Sequence, residues 1–242
     1  MPAYLMTAKQ RQGLILPVFP IKIADREKTA RINEKNIIIL SLYIYTYIST
    51  TPDMTTDMEF ATARYEGRPT RDNDSRSEAE SGVYDFLDRT GVNYTTLCHP
   101  AAFTMEECEA VRRDIGAPVF KNLFLTNRQQ TEFYLLMIPA DKPFKTKYLS
   151  SQLGCARLSF ASAEKMEELL HIHPGAVSPM GLIYDTGRRV RLIIDRDLES
   201  TDLYACHPCV NTASVAMPLS DLLEKVIPAT GHTHTWVDLL PE

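Results

Sequence analysis

The sequence lacks an apolar run long enough to cross a membrane as a helix. The best candidate is residues 36–50, NIIILSLYIYTYIST, which is shorter than the roughly 20 apolar residues that a span needs. The segment lies far from the start of the chain and has no small-residue cleavage site, so it is not typical of a secretory signal. We expect a cytoplasmic protein. Residues 36–50 would be an additional β-rich segment, or sequence upstream of a true start at Met54 or Met58.

An excess of positive charge is absent as well. The 242 residues carry 26 Lys and Arg against 31 Asp and Glu, which gives a net charge of −5. Proteins that coat nucleic acids without specificity need a dense surface of Lys and Arg, so the composition argues against that class and against DNA binding. A protein that contacts only the end of a nucleic-acid chain is still compatible with this charge.

The five cysteines are irregularly spaced: Cys98, Cys108, Cys155, Cys206 and Cys209. An odd number at irregular spacing disfavours a disulfide framework and indicates a reducing compartment. Cys206 and Cys209 form a C-x-x-C pair, but a zinc site needs about four ligands, and the nearby His232 and His234 are poorly spaced. A redox pair would normally open a helix, whereas residues 210–217 resemble a strand. We therefore predict neither a metal nor another cofactor.

The chain divides into an N-terminal extension and one domain. Residues 52–76 are polar and charged and run into RPTRDNDSRSE, which is typical of a linker with little apolar surface to bury. We therefore predict an extension and linker over residues 1–75 and a folded domain over residues 76–242. Apolar residues make up 44% of the chain, which is enough for a core without disulfides or metal.

Short helical and strand patterns alternate along the domain. Capping boxes at residues 77–80 and 104–107 begin the first two helices, and Gly91 ends the first. Two hairpins are expected, one around NRQQ at residues 127–130 and one around Thr186 and Gly187. Because hairpins outnumber βαβ crossovers, we predict an α+β fold with a mixed, largely antiparallel sheet and flanking helices. Further helices are predicted at 147–153, 162–170 and from Ser220, and strands at 94–98, 119–126, 133–139, 182–185, 190–195, 203–206, 212–217 and 236–239.

Three local features could carry chemistry. Lys121 and Asn122 interrupt an apolar run, VFKNLFL, where a lysine must extend to solvent, form an ion pair or act on a ligand. The small residues of the loop 175–181 would let backbone N–H groups face a ligand. His207 follows a predicted strand and could orient a ligand or carry a proton. Taken singly, each feature has an ordinary alternative, namely an edge-strand lysine, a simple turn and a loop histidine.

Read in order, several segments resemble one family. The segments are KNLFL, LSSQLGCARLSFAS, PGAVSPMGL, VRLIIDRDL and HPCVNTAS, spread between Ser77 and Leu239. Together they are similar to the YbaK/prolyl-tRNA editing superfamily, and especially to freestanding prolyl-tRNA deacylases that clear alanine from tRNA(Pro). The cysteines beside His207 and Pro208 depart from the family pattern, and residues 1–75 match nothing in it.

The resemblance implies a mixed α+β sheet around a small pocket and assigns roles to particular residues. The implied catalytic residues are Lys121, Gly175 and His207. The implied substrate-binding residues are Asn122, Ser178, Pro179 and Asn211. No metal or cofactor is implied.

The function implied by the resemblance is hydrolysis of a mischarged tRNA, with Ala-tRNA(Pro) as the expected substrate and water as the nucleophile. The alternatives are a deacylase for Cys-tRNA(Pro) or another misacylated tRNA, a catalytically inactive module that binds tRNA or a synthetase, and a structural protein anchored through the N-terminal segment. The expected partners are the CCA end of aminoacyl-tRNA and, as a further candidate, prolyl-tRNA synthetase.

Basic side chains that could contact the tRNA fall into two groups. They are Lys142, Lys145 and Lys147, and Arg188, Arg189 and Arg191. A charged face turned to solvent is the alternative interpretation of each group. Asp185, Asp195 and Asp197 are interpreted as turn residues.

Overall fold

The computed structural model describes residues 61–70, 76–102 and 105–239, and the strands within them form two sheets. The strands are β1 (Ala63–Glu66), β2 (Thr95–Cys98), β3 (Lys121–Thr126), β4 (Phe133–Ile138), β5 (Ser159–Phe160), β6 (Val190–Asp195), β7 (Leu203–Cys206), β8 (Ala213–Pro218) and β9 (His234–Val237). One sheet has the order β1-β2-β8-β7 and is antiparallel throughout. The other has the order β5-β3-β4-β6-β9, in which β6 runs parallel to both its neighbours. The predicted α+β fold with a mixed, largely antiparallel arrangement of strands is confirmed.

Helices flank these sheets and begin and end at residues that the sequence marks. The helices are α1 (Glu78–Thr90), α2 (Met105–Ile115), α3 (Thr146–Leu153), α4 (Ala163–Leu170) and α5, which joins the segments Leu219–Asp221, Leu222–Val226 and Ile227–Ala229. The Ser77 hydroxyl accepts a hydrogen bond from the backbone N–H of Glu80 at 3.0 Å, as the first capping box predicts. Gly91 ends α1 with a φ of +67°, which glycine adopts without steric cost. The second capping box begins at Thr104, outside the described residues.

One of the two predicted hairpins is confirmed and the other is wrong. Strands β3 and β4 pair antiparallel around residues 127–132. Residues 179–183 instead form a 3₁₀ turn, because Pro179 presets helical geometry and the Ser178 hydroxyl accepts from the N–H of Met180 at 3.1 Å. Strand β6 is therefore left to pair in parallel with β4 and β9. Ser220 does not cap the last helix, which begins after Pro218.

The core lies on both faces of the five-stranded sheet. Along β4, Phe133, Leu135 and Met137 join one buried apolar cluster, and Tyr134, Leu136 and Ile138 join another. Successive side chains of a strand point to opposite faces, so this alternation means that β4 is covered on both sides. Burial on both faces explains why its sequence is a continuous apolar run and not an alternating one.

The described fold begins before the predicted domain boundary. Strand β1 pairs antiparallel with β2, so residues 63–66 belong to the four-stranded sheet although they precede Arg76. The predicted boundary near Arg76 stays a prediction, and residues 1–60, including 36–50, lie outside the described residues. No helix among the residues that the structure describes is long and apolar enough to cross a membrane.

Candidate active site

A cavity of about 390 Å³ opens where the start of β3 meets the ends of β2 and β7. Four residues predicted from the sequence line it: Lys121, Gly175, His207 and Asn211. Other lining residues were not predicted, among them His99, Ser214, Cys108, Glu109 and Arg112. The fold thus brings together residues that are up to 115 positions apart in the chain.

Lys121 is the first residue of β3 and its side chain is half-buried. Its Nζ donates a hydrogen bond to the backbone carbonyl of Lys142 at 3.0 Å. A neutral carbonyl fixes the ammonium without cancelling its charge, and no carboxylate among the described residues lies within ion-pair distance of it. Lys121 therefore presents a positive charge to the cavity.

His207 follows β7, and its ring is held by a hydrogen bond to the backbone. Its Nδ1 donates to the carbonyl oxygen of Ala213 at 2.8 Å, so Nε2 is the nitrogen that carries a lone pair. Burial lowers the pKa of His207, and the nearby His99 lowers it further against the opposing effect of the Ala213 contact. The neutral imidazole is therefore favoured, with Nε2 as an acceptor at the cavity wall.

A second histidine, missed by the sequence interpretation, stands beside the first. His99 follows β2, its Nδ1 contacts the carbonyl oxygen of Pro100 at 2.8 Å, and its Nε2 lies 3.0 Å from the hydroxyl of Ser214. The rings of His99 and His207 are 6.1 Å apart, and burial lowers the pKa of His99 too. The signal was a repeat of Cys-His-Pro at residues 98–100 and 206–208, at the ends of the two strands that flank β8.

Gly175 lies in the loop opposite these histidines. Its φ is +94°, a backbone conformation that residues other than glycine rarely adopt. A Cβ built on Gly175 would stand 3.7 Å from Nδ2 of Asn211, so the amide side chain of Asn211 lies against this glycine. Gly175, His207 and Asn211 all line the larger cavity.

A smaller cavity of about 240 Å³ adjoins the first and is where Asn122 lies. The two cavities share Val119, Phe120, Gly175 and His207, and the smaller is completed by Asn122, Val177 and Cys206. The Oδ1 atom of Asn122 is buried and has no hydrogen-bond partner among the described residues. An unpaired buried acceptor costs about 1–3 kcal/mol, so a ligand that donates to it would recover that loss.

Two predicted substrate-binding residues lie behind the cavities. Ser178 is fully buried, and its hydroxyl accepts a hydrogen bond from the N–H of Met180 and is hydrogen-bonded to the thiol of Cys206. Pro179 is buried beside it. Neither side chain lines either cavity, although both shape the loop that follows Gly175. A direct contact of Ser178 or Pro179 with substrate stays a prediction.

The rim of the larger cavity carries one arginine. Arg112 projects from α2, with its Nε 3.3 Å from a carboxylate oxygen of Glu109. Both side chains are more than half exposed, and exposed pairs of this kind contribute little to stability. Arg112 can therefore exchange Glu109 for another anion.

Among the lysines and arginines predicted to contact tRNA, the prediction for Lys142 is wrong. Its side chain is buried and forms ion pairs with Asp195 and Asp197. Arg189 pairs with Glu168 at 3.1 Å, and Arg191 stacks over the ring of Tyr134.

The thiols of the C-x-x-C pair are buried and neutral. Burial raises the pKa of Cys206 to about 11, and it also raises the pKa of Cys209. Cys206 ends β7 and Cys209 lies in the turn that follows, so the pair does not open a helix. Across the residues that the structure describes, no group of three or more His, Cys, Asp or Glu side chains could hold a metal ion.

Comparisons with known proteins show which family the chain resembles. A family model described as an aminoacyl-tRNA editing domain matches residues 99–225. The chain is 33% identical over 162 residues to the prolyl-tRNA editing protein ProX of Acetoanaerobium sticklandii, covering 67% of this chain and 98% of that protein. It is 34% identical over 163 residues to prolyl-tRNA synthetase associated domain-containing protein 1 of Danio rerio, covering 66% and 85%.

A solved structure is similar in fold. It is described as a candidate trans-editing enzyme for prolyl tRNA synthetase, and it superimposes with a TM-score of 0.53 at 21% identity. The match covers 69% of this chain and 99% of that one. At this level of identity the likeness concerns the fold alone.

Proposed function

The chain belongs to the aminoacyl-tRNA editing domain family, and we propose that it removes alanine from mischarged tRNA(Pro). It is an aminoacyl-tRNA deacylase, a hydrolase of the ester between an amino acid and the terminal ribose of a tRNA. The observation that supports this substrate is the pair of adjoining cavities, with Lys121 at one and the unpaired Oδ1 of Asn122 at the other.

The two cavities suit the two halves of the substrate. The larger, about 390 Å³, carries Lys121 and Arg112 and would receive the terminal nucleotide. The smaller, about 240 Å³, would receive the amino acid. The scissile ester would then lie at the shared wall formed by Gly175 and His207.

Lys121 and the Gly175 loop would stabilise charge on the substrate. The ammonium of Lys121, which is held by the carbonyl of Lys142 and has no carboxylate partner in the described part of the chain, would bind phosphate or ribose oxygens of the CCA end. Backbone N–H groups near Gly175 would donate to the ester carbonyl oxygen as it becomes an oxyanion. This ester is already activated, so a protein nucleophile is not needed.

His207 would orient the attacking water. Its neutral Nε2 can accept a hydrogen bond from that water, and the neighbouring ribose hydroxyl can assist the proton transfer. The water oxygen bonds to the carbonyl carbon, and the bond from that carbon to the ribose oxygen breaks. The ribose oxygen takes up a proton, which leaves free alanine and intact tRNA.

Selectivity would arise from the walls of the smaller cavity. Phe120, Val177 and Cys206 line this cavity, and we propose that they admit a methyl side chain and exclude the ring of proline. Excluding a larger group by steric contact is easier than rejecting a smaller one, which loses only about 1–3 kcal/mol per missing methylene. The α-ammonium of the substrate would donate to Oδ1 of Asn122.

Prolyl-tRNA synthetase is a candidate partner. The relative in Danio rerio is named as associated with this synthetase, and an editing enzyme that meets freshly charged tRNA beside it acts before the error is used. We further propose that the reaction takes place in the cytoplasm.

The test is a deacylation time course on Ala-tRNA(Pro), Cys-tRNA(Pro) and Pro-tRNA(Pro). The wild-type protein, Lys121→Ala and Lys225→Ala are compared, since Lys225 is an exposed lysine of α5 that pairs with Asp221 one turn earlier in the same helix and lines neither cavity. We expect rapid loss of alanine, sparing of proline, and loss of activity in Lys121→Ala alone. Faster hydrolysis of the cysteinyl ester would change the substrate assignment, and no hydrolysis above the buffer rate would support an inactive binding module.

A further inference from the structure

The buried lysine beside Lys121 is the feature that the reaction described above leaves unused. Lys142 lies between β4 and α3, and only 8% of it is exposed. Its Nζ is 2.9 Å and 2.8 Å from the two carboxylate oxygens of Asp195 and 2.7 Å from Oδ2 of Asp197. A lysine is rarely buried unless it is paired, so this cluster is a built feature of the fold.

The sheet brings these residues to one edge. Lys121 pairs with Ile138, the last residue of β4. Strand β6 runs parallel to β4, with Ile194 opposite Met137, so Asp195 comes at the same edge. The chain leaving β4 turns over this edge, closed by a hydrogen bond from the N–H of Lys142 to the carbonyl of Pro139 at 3.2 Å.

One residue therefore connects the carboxylates to the cavity. The side chain of Lys142 binds Asp195, while its backbone carbonyl accepts the hydrogen bond from Nζ of Lys121 at 3.0 Å. Asp195 is itself fixed, because it is fully buried and its Oδ1 also accepts from the N–H of Asp197 at 3.0 Å. The contact with Asp195 therefore restricts the movement of Lys142, and the carbonyl of Lys142 in turn restricts the ammonium of Lys121.

We propose that Lys142, anchored by Asp195, is a positioning residue for Lys121. The ion pair holds the turn, the turn holds the carbonyl of Lys142, and the carbonyl holds the ammonium of Lys121 toward the cavity. The inference deepens the proposed function, because it rests on Lys121 acting on the substrate. A buried ion pair is a poor source of stability but can select one geometry, which is the role assigned here.

The charge state of Lys142 agrees with this role. Burial alone would lower its pKa, but hydrogen bonds and charge attraction from Asp195 and Asp197 outweigh burial and raise the pKa. Lys142 is therefore charged throughout the neutral pH range. A neutral side chain of similar length could fill the space without holding the turn.

The first test measures the chemical exposure of Lys121 and needs no substrate. The folded protein is labelled with a limiting amine-reactive reagent, and the rate at Lys121 is read by peptide mass spectrometry relative to Lys225. In Lys142→Met the rate at Lys121 should rise severalfold, and in Lys142→Arg, which keeps a cation beside both carboxylates, it should stay near the wild-type value. An unchanged rate at Lys121 in folded Lys142→Met overturns the proposal.

The second test is a double-mutant cycle on kcat/KM for Ala-tRNA(Pro), with melting temperatures measured alongside. Lys142→Met should lower kcat/KM by about 10- to 100-fold, the range expected when a group that positions the substrate is displaced. With Arg in place of Lys121 the same change should cost less than about twofold, because the effect of Lys142 passes through Lys121. Equal losses in both backgrounds would assign Lys142 a structural role only.

A second variant covers the case in which Lys142→Met does not fold, and the labelling rates separate failure of this proposal from failure of the proposed function. If Lys142→Met does not fold, Lys142→Gln is used, because its amide can still donate a hydrogen bond to Asp195 while the charge of the ion pair is lost. A smaller rise in the labelling rate at Lys121 is then expected, and an unchanged rate contradicts the proposal. If Lys121→Ala keeps full activity, the proposed function fails, while the labelling rates still decide whether Lys142 positions Lys121.

Discussion

The two ends of β6 each carry a buried carboxylate, and the two are used differently. Before the strand, Asp185 accepts hydrogen bonds from the N–H groups of Arg189 and Val190 and lies 3.1 Å from Nε2 of His232. After the strand, Asp195 binds Lys142, which leads to Lys121 and the cavity. Both carboxylates shape a turn, but only the second connects that turn to the proposed catalytic group. Similar burial therefore does not mean similar function.

The largest effects should come from removing each carboxylate in turn. Asp195→Ala leaves Lys142 buried with only the exposed Asp197 as partner, so the free energy of unfolding should fall by about 3 kcal/mol and deacylation should fall with it. Asp185→Ala should also destabilise the fold, because two backbone N–H groups lose their acceptor, but kcat/KM per folded molecule should be unchanged. Denaturant unfolding and single-turnover deacylation measure the two quantities. Equal losses of activity would remove the contrast between the ends of β6.

A slightly smaller effect is expected at the histidines. His207→Ala should lower kcat/KM by about 100-fold, as expected for the loss of one proton-accepting group. Because burial lowers the pKa of His207, the wild-type rate should hold steady as the pH falls through 6.5 and decline only at lower pH. His173→Ala is the control, since this exposed histidine pairs with Glu167 at the surface. A wild-type profile that already declines above pH 6.5 would argue against a neutral His207.

The width of the smaller cavity should control selectivity. Val177→Ala removes two methyl groups from its wall, so hydrolysis of Pro-tRNA(Pro) should rise by about tenfold relative to Ala-tRNA(Pro). Val210→Ala provides the matched control, because this half-buried valine lines neither cavity. Competition between the two charged tRNAs gives the ratio directly. A ratio that does not move would place the amino acid elsewhere.

The smallest effect should come from removing Arg112 at the rim of the larger cavity. Arg112→Ala should weaken binding of Ala-tRNA(Pro) a few-fold and reduce the slope of log affinity against log salt by about 1, since one phosphate contact is lost. Hydrolysis of alanyl-adenosine, which has no phosphate, should be unaffected. Arg113→Ala is the control, because Arg113 pairs with Asp114 and does not line the cavity. A change on the phosphate-free ester would mean that Arg112 acts on the reaction itself.

Features written in short stretches of sequence could be predicted. The caps of α1, the hairpin of β3 and β4 and the placement of His207 after a strand all follow from residues a few positions apart. The resemblance to a known family supplied the roles of Lys121, Gly175 and His207, which single residues could not. In the structure these three residues line the same cavity.

Features that depend on distant pairing could not be predicted. Lys142 looked like a surface lysine because Asp195 is 53 residues away, and nothing local predicts their contact. The parallel pairing of β6 was missed for the same reason, since the turn at Thr186 and Gly187 resembles that of a hairpin. Ser178 and Pro179 begin a buried 3₁₀ turn, which the sequence did not indicate, and their predicted contact with substrate stays a prediction.

Strand β8 holds both histidines through two successive residues. The carbonyl oxygen of Ala213 accepts a hydrogen bond from Nδ1 of His207, and the hydroxyl of Ser214 is hydrogen-bonded to Nε2 of His99. Sliding β8 by one residue would exchange the two faces of the strand and misplace both imidazoles at once. The histidine pair therefore assembles only when β2, β8 and β7 have closed in register. Deacylase activity should accordingly return during refolding together with protection of the β8 amides from hydrogen exchange, and not before it.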